Sequence, residues 1–268
     1  RGPGREKHTE VTAASCSVAT PPHLPQAISK VGQVPQSCSG VSCGKQAAFD
    51  IWVGERERQA ERGVQEGKLS SEETQSGKLL IENWAVWRDS LQWDRFRTVW
   101  HPEGRMWATW FQGTYEEFIA ANLAGYAKGV RIYHFLGGTS IDIKGKRAIA
   151  QTKMSISQRA EVEGVECDVI CIGRFYDFLE KRKGKWGLVW RRLTYEKDQI
   201  VPVDPAKAPK LDPKLLARFP VGYRHLAYLQ TRVGYKVKED MPGLDGPGTD
   251  ALYALGAGWL KGNKEIGW

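Results

Sequence analysis

Long apolar runs are missing from this sequence. No stretch reaches about 18 apolar residues, which is the length that a membrane-spanning helix requires. The N-terminus also lacks the apolar core of a secretory signal peptide. We therefore expect a cytoplasmic protein that has no membrane partner.

The sequence also lacks the motifs that hold cofactors and metals. We find no G-x-G-x-x-G or Walker loop, no H-E-x-x-H helix and no nucleophile elbow. The five cysteines do not follow zinc spacing, and Cys167 and Cys171 would lie on one face of a strand, too far apart for an easy disulfide. We predict buried thiols, no bound metal and chemistry that needs no cofactor.

Aromatic residues are nearly absent from the N-terminal part of the chain. Residues 1–50 are rich in Pro, Ser, Gly, Gln and Thr, and their only aromatic residue is Phe49. Such a segment buries too little surface to offset its ordering entropy, so we expect residues 1–75 to form a disordered or loosely attached leader. The first methionine is Met106. A fragment, a processed form or an upstream-extended translation is therefore expected.

The charge is basic but dispersed. Lys and Arg number 39 against 31 Asp and Glu, which gives a net charge of +8. The densest basic runs fall in short turns, where lysines usually form a solvated rim, and no continuous basic stripe follows a helix or strand. We therefore predict no nucleic-acid partner.

Four long strands are the strongest pattern in the chain. Residues 130–197 alternate β-branched and aromatic residues with polar ones, and tight turns interrupt them at residues 144–146, 163–164 and 183–185. Each turn contains a glycine, which supplies the positive φ that short hairpins need. Gly137-Gly138 predicts a bulge within the first strand.

Helices before and after these strands complete an α+β protein. Residues 76–128 predict three helices and a short strand, and six Trp fall between Trp84 and Trp110. These helices would cover one face of a curved antiparallel sheet. Residues 199–268 predict a helical C-terminal extension that packs on the domain or on a neighbouring subunit.

Particular motifs give residues 76–198 a resemblance to the SnoaL-like branch of the NTF2-like superfamily. They are Trp-Arg-Asp at 87–89, TVWHPEG at 98–104, a His opening the first long strand and GKWGL at 184–188. The resemblance implies an NTF2-like cone. A longer match over residues 76–262, through FLGGTSIDIKGKRAIAQTKMSISQRA, GRFYDFLEKR and FPVGYRHLAYLQTRVGYKVKEDMPGLDGP, is similar to bacterial γ-formaldehyde lyases, which act on lignin-derived aromatic dimers.

The resemblance implies a catalytic pair formed by Asp89 and His134. In SnoaL-like dehydratases and dehydrochlorinases, an Asp and a His at the matching positions form a dyad inside the cone. The Asp fixes the tautomer of the imidazole and raises its basicity, and the His transfers the proton. The alternative is that Asp89 is a surface helix residue and His134 a hydrogen-bonded strand residue without a catalytic role.

Two arginines are candidates for binding an anionic group of the substrate. Strand alternation places Arg174 on one face with Ile170, Ile172 and Tyr176, which look core-facing, and Arg191 on one face with Val189, Leu193 and Tyr195. The alternative is an exposed arginine or an ion pair with Glu180 or Glu196. Further substrate-binding candidates, for which core packing is the alternative, are Tyr126, Tyr176, Tyr195, Trp84, Trp87 and Trp110.

These features lead to one main hypothesis and two alternatives for the function. The main hypothesis is a cofactor-independent lyase acting on a small phenolic or aromatic substrate, including elimination of formaldehyde from a diarylpropanoid to give a stilbene. The first alternative is a dehydratase or isomerase of the scytalone-dehydratase or polyketide-cyclase type. The second is a non-catalytic binding module, in which Asp89 and His134 would not face each other. Cone folds commonly assemble, so we expect a homodimer or a homotrimer.

Overall fold

The computed structural model describes residues 71–264, so most of the predicted leader and the last four residues lie outside the described part of the chain. The elements run in the order expected, with helices first, then the long strands, then a helical extension. They are α1 (Ser71–Asp89), α2 (Trp93–Arg97), β1 (Trp100–Trp107), β2 (Gln112–Thr114), α3 (Tyr115–Ala127), β3 (Ile132–Lys144), β4 (Arg147–Val162), β5 (Val165–Arg182), β6 (Lys185–Pro202), α4 (Pro213–Ala217), α5 (Arg224–Arg232) and α6 (Pro247–Leu260).

The sheet has six strands in the order β2-β1-β6-β5-β4-β3. Strands β3 to β6 form the predicted antiparallel meander, and each of its three turns contains a glycine with positive φ. One pairing differs from the prediction, because β1 runs parallel to β6. With the helices on its inner face, the curved sheet is the α+β cone that the sequence predicted.

A bulge in β3 determines which residues of that strand face the helices. The register with β4 shifts between Leu136 and Thr139, so the two glycines are accommodated opposite one residue. Before the bulge, the even-numbered His134 and Leu136 face the inner side, whereas after it the odd-numbered Ile141 does so. The predicted bulge is confirmed, and it sets the orientation of His134.

The face assigned to part of β5 was wrong. The buried residues of β5 in the inner core are Cys167, Val169, Cys171, Phe175 and Leu179, whereas Ile172 is 37% exposed on the outer face. An alternating strand has only two faces, so an error of one residue moves every side chain to the opposite face. Arg174 and Tyr176 therefore point to the outer face, where both contact Tyr253 of the C-terminal extension.

Helix α1 begins five residues before the predicted boundary at residue 76. Its first turn is held by Glu73, which pairs with Lys181 and accepts a hydrogen bond from Trp186 in the β5–β6 hairpin. The buried stripe of the helix consists of Ile81, Trp84, Ala85 and Arg88, at the spacing of one helical face.

The C-terminal extension packs on both sides of its own sheet. Helix α5 lies against the inner side, where Leu226 and Leu229 join the main core, and α6 covers part of the outer face through Leu252 and Trp259. Asp212 caps α4 by accepting from the backbone N–H groups of residues 214 and 215. No helix within residues 71–264 is long and apolar enough to cross a membrane.

Candidate active site

Asp89 and His134 meet where the end of α1 crosses the start of β3. The Nδ1 atom of His134 lies 2.8 Å from Oδ1 of Asp89, and the backbone N–H of His134 donates to Oδ2 at 2.6 Å. Both carboxylate oxygens are acceptors, so Nδ1 must carry the proton. The imidazole is therefore fixed in one tautomer, and its Nε2 is the nitrogen that can exchange a proton with a ligand.

A buried arginine holds the Asp89 carboxylate from the other side. Nη1 of Arg88 donates to Oδ1 of Asp89 at 3.1 Å and to the Ile132 carbonyl at 3.2 Å, and Nη2 donates to Asn122. These bonds tie α1 to α3 and to the first residue of β3. Because Arg88 is anchored at three points, it fixes the position of Asp89.

The surroundings of the pair favour a neutral imidazole and an ionised carboxylate. Burial is the main cause that lowers the pKa of His134, and the charges of Arg88 and Arg191 lower it further, while the bond to Asp89 acts in the opposite direction. Burial acts to raise the pKa of Asp89, but the hydrogen bond from His134 and the nearby charges of His134 and Arg88 outweigh it, so this pKa is lowered. His134 is thus a free base at neutral pH.

His134 borders a small cavity inside the cone, with a volume of about 30 Å³. Trp84 stands edge-on to the imidazole with ring centres 5.4 Å apart, and Phe118, Ile156 and Leu193 add apolar walls. The volume is enough for about two water molecules, whereas a cavity of about 150 Å³ is needed to hold benzene. The site is therefore closed to an aromatic ring in this conformation.

The polar wall of this cavity is a chain of three hydrogen-bonded residues. The backbone N–H of Thr109 donates to the hydroxyl oxygen of Tyr195 at 3.2 Å, and the Thr109 hydroxyl donates to Oε1 of Gln230 at 2.7 Å. Burial raises the pKa of Tyr195 above its ordinary value, so its phenol stays protonated. Tyr195 is thus a hydrogen-bond donor in the cavity that contains the His134 base.

A second cavity of about 40 Å³ lies on the Asp89 side of the pair. It shares Arg88, Trp110 and Ile132 with the first, so these three residues separate the two spaces. Arg88 is held by its hydrogen bonds and Ile132 belongs to β3. Trp110 lies in the connection between β1 and β2, and its side chain is held by ring contacts with Phe111, Phe118 and Tyr235.

Arg191 faces the inner side as predicted but does not line the cavity. Its guanidinium forms two bonds with Asp177, at 2.6 and 2.7 Å, and both side chains are fully buried. The Cζ atom lies 3.8 Å from the ring centre of Phe175 and 4.2 Å from that of Trp84. The predicted role in substrate binding is corrected, because this arginine is an internal ion pair beneath aromatic rings.

The structure separates four other predicted residues from His134. Arg174 donates to Glu196, Gln151 and Tyr253 on the outer face, so the predicted alternative of an ion pair with Glu196 applies. The remaining three also lie elsewhere: Tyr176 packs on Tyr253, Trp87 lies under Arg95, and Tyr126 borders the second cavity beneath Arg131. Of the predicted wall residues, the structure brings Trp84, Trp110 and Tyr195 to the cavity that contains His134.

A second His–Asp pair shows that pairing alone does not define a catalytic group. Nδ1 of His225 lies 2.8 Å from Oδ1 of Asp198, and the Asp198 carboxylate also accepts the backbone N–H groups of His225 and Leu226. These are free N–H groups of the first turn of α5, so Asp198 acts as the cap of that helix. His225 does not border the cavities described above, and this distinguishes it from His134.

The family model of the SnoaL-like domain matches residues 78–192. Pea pathogenicity protein 2 of Fusarium vanettenii is 41% identical over 196 residues, which cover 69% of this chain and 84% of that protein. The chain belongs to the Pea pathogenicity protein 2 family.

Two further similarities extend this comparison. An uncharacterized protein of Emericella nidulans is 38% identical to this chain over 203 residues, which cover 70% of this chain and 85% of that protein. The crystal structure of a putative scytalone dehydratase from Novosphingobium aromaticivorans is 17% identical, with a TM-score of 0.42, and the match covers 47% of this chain and 86% of that one.

Four residues in or near the candidate site were not predicted from the sequence. For two of them, the position in the sequence does indicate a buried charge. Arg88 falls on the apolar stripe of α1, and Asp177 interrupts the apolar run FYDFL, so each charge is in a position that predicts burial. Thr109 and Gln230 are 121 residues apart, and no local pattern could have paired them.

Within residues 71–264, no cluster of His, Cys, Asp and Glu is arranged to hold a metal ion.

Proposed function

We propose that this protein is a cofactor-independent lyase that eliminates water from a compact ring compound carrying a hydroxyl group β to a carbonyl. The observation that carries the proposal is the neutral His134, whose Nδ1–H is held by Asp89 and whose Nε2 is left for a ligand in a small, largely apolar cavity. The SnoaL-like domain supports it, because members of that family are generally cofactor-free enzymes such as dehydratases and isomerases.

The reaction needs one base that also acts as the acid. Nε2 of His134 removes the proton from the carbon between the carbonyl and the hydroxyl-bearing carbon, and the carbon–hydrogen electrons move towards the carbonyl. The carbon–oxygen bond then breaks, a carbon–carbon double bond forms, and the imidazolium returns its proton to the departing hydroxyl as water. Asp89 stabilises the imidazolium between the two steps.

Tyr195 is the residue placed to stabilise the negative charge that develops on the carbonyl oxygen. Its oxygen already accepts from Thr109, so the hydroxyl proton is available to a ligand in the cavity. A donor fixed before the reaction begins costs no reorganisation in the transition state. A base and a donor that line the same cavity suit a proton abstraction next to a carbonyl.

The size of the cavity favours a compact substrate over a diarylpropanoid. Even a single ring requires Trp110 to turn away, which joins the two cavities and releases the volume of the indole. A substrate with two separate aromatic rings would require further walls to move. Elimination of formaldehyde from a lignin-derived dimer is therefore the second choice, although the same His134–Asp89 pair would serve it.

The test is a direct assay with 3-hydroxy-1-tetralone, which gives the fluorescent product 1-naphthol when it loses water. We expect catalysed formation of 1-naphthol by the wild-type protein and a fall of about 10²- to 10⁴-fold in His134→Ala and Asp89→Asn. Asp168→Asn, which alters a carboxylate on the exposed end of β5, is the matched control and should match the wild type.

Other results would redirect the assignment. Release of formaldehyde from a diarylpropane diol, without dehydration of the tetralone, would favour the lyase of the second choice. Absence of both reactions, or rates that are equal in the wild type and in His134→Ala, would contradict the proposal and favour a binding module.

A further inference from the structure

The helical extension after the sheet contributes directly to the cavity that contains His134. Leu226 and Gln230 of α5 both border it, and they are four residues apart, so they lie on one face of the helix. The family model of the SnoaL-like domain ends at residue 192. This wall of the site is therefore supplied by sequence beyond the matched domain.

The position of α5 is fixed firmly enough to place a side chain accurately. The Asp198 carboxylate of β6 binds three N–H groups at the start of the helix, at 2.6 to 2.8 Å. Residues Leu226 to Gln230 are all buried, so the middle of the helix is enclosed by the rest of the protein. A helix that is capped from the sheet and buried along its middle holds these residues in one place.

Gln230 is the exception among these five residues, because its neighbours in the buried run are apolar or aromatic. It is 5% exposed and borders the cavity. Its Oε1 accepts the proton of Thr109, so the NH₂ of the amide is the part that can donate to a ligand. A buried amide that uses only its oxygen retains donor capacity that an oxygen atom of a ligand would satisfy.

We propose that Gln230 is a specificity-determining residue that donates from its amide to an oxygen atom of the ligand. Thr109 links Gln230 to Tyr195, because its hydroxyl donates to Gln230 and its backbone N–H donates to the Tyr195 hydroxyl oxygen. Two donors then line the same cavity as the His134 base, and the ligand they select carries a carbonyl or similar acceptor oxygen. The proposal rests on the proposed function for this orientation of the ligand towards His134.

The test compares two non-reacting ligands of nearly equal shape, 1-tetralone and tetralin, which differ in one oxygen atom. Calorimetry gives the ratio of their affinities. We expect the wild-type protein to prefer 1-tetralone, and Gln230→Leu to reduce that preference about tenfold, as is usual for one hydrogen bond. Gln199→Leu, on the exposed outer side of β6, is the matched control and should keep the wild-type ratio.

A second variant guards against loss of folding. Gln230→Leu leaves the buried Thr109 hydroxyl without its acceptor, whereas the double variant Thr109→Val/Gln230→Leu removes both partners and leaves no buried polar group unpaired. The double variant should show the same reduced ratio. An unchanged ratio in both variants, or no preference and no binding of 1-tetralone by the wild type, would overturn the proposal.

The two proposals can fail separately. The calorimetric ratio uses ligands that cannot lose water, so it is measured independently of turnover. A reduced ratio in Gln230→Leu combined with no formation of 1-naphthol by the wild type would support the Gln230 site and reject the dehydration.

Discussion

Two Arg–Asp pairs of this protein have nearly the same geometry but opposite environments. Arg191 and Asp177 are joined by two bonds of 2.6 and 2.7 Å and are fully buried, and Arg159 and Asp168 are joined by two bonds of 2.9 and 2.7 Å near the surface. The exposed fractions of Arg159 and Asp168 are 56% and 30%. Substituting each Asp by Asn therefore tests what burial adds to one arrangement of atoms.

The two substitutions should lower the free energy of unfolding by amounts that differ several-fold. Breaking a buried ion pair leaves an uncompensated charge in the core and costs about 3–5 kcal/mol, whereas an exposed pair contributes about 0.2–1 kcal/mol. Asp177→Asn should thus lower the free energy of unfolding by about 3 kcal/mol or more, and Tm by roughly 10 °C. Asp168→Asn should change the free energy of unfolding by less than about 1 kcal/mol.

Denaturant unfolding followed by tryptophan fluorescence measures both variants under the same conditions. The double variant Asp177→Leu/Arg191→Met provides a further check, because apolar residues of similar volume often replace a buried pair without loss of stability. It should recover most of the stability that Asp177→Asn loses. Equal costs for the Asp177 and Asp168 variants would refute the view that Arg191 is an internal ion pair.

Two further predictions concern Trp110, which lies between the two cavities, and the glycines of the sheet. Trp110→Ala should raise the affinity for 1-tetralone severalfold in calorimetry, since it removes the partition between the cavities, and an unchanged or lower affinity would show that another wall opens. Gly173→Ala should unfold at a distinctly lower denaturant concentration than the wild type, because the added Cβ would lie 2.0 Å from the carbonyl oxygen of Thr194. At Gly138 an added Cβ meets no atom within 4 Å, so Gly138→Ala should lower the denaturant midpoint only slightly. Equal losses of stability in the two variants would contradict this.

The meander could be predicted from the sequence because its determinants are local. The glycine turns at residues 144–146, 163–164 and 183–185 and the alternation between them need no knowledge of distant residues. Helix α3 likewise begins at a local signal, the capping box that Thr114 forms with Glu117 three residues later. Local chemistry of this kind fixes where elements begin and end.

The assignment of faces was less predictable, because it depends on contacts across the sheet. Ile170 and Ile172 suggested a core-facing set in β5, but the core uses the cysteines and Val169, and this moved Arg174 to the outer face. In α1 the buried face includes Arg88 beside Ile81, Trp84 and Ala85, and a charged residue on such a face is easily overlooked in a sequence. The Gln230–Thr109 contact joins segments that only the folded chain brings together.

The protonation of His134 gives the most direct test of the proposed site. Nitrogen NMR of protein labelled at histidine reports both the tautomer and the titration midpoint of each imidazole, and a His134→Gln variant assigns the signal. The account predicts a proton on Nδ1 in the neutral form and a midpoint below 6.5, because burial disfavours the charged ring. In Asp89→Asn the midpoint should fall further, since the carboxylate that stabilises the imidazolium is gone. A proton on Nε2, or a midpoint above 6.5 that Asp89→Asn leaves unchanged, would contradict the account.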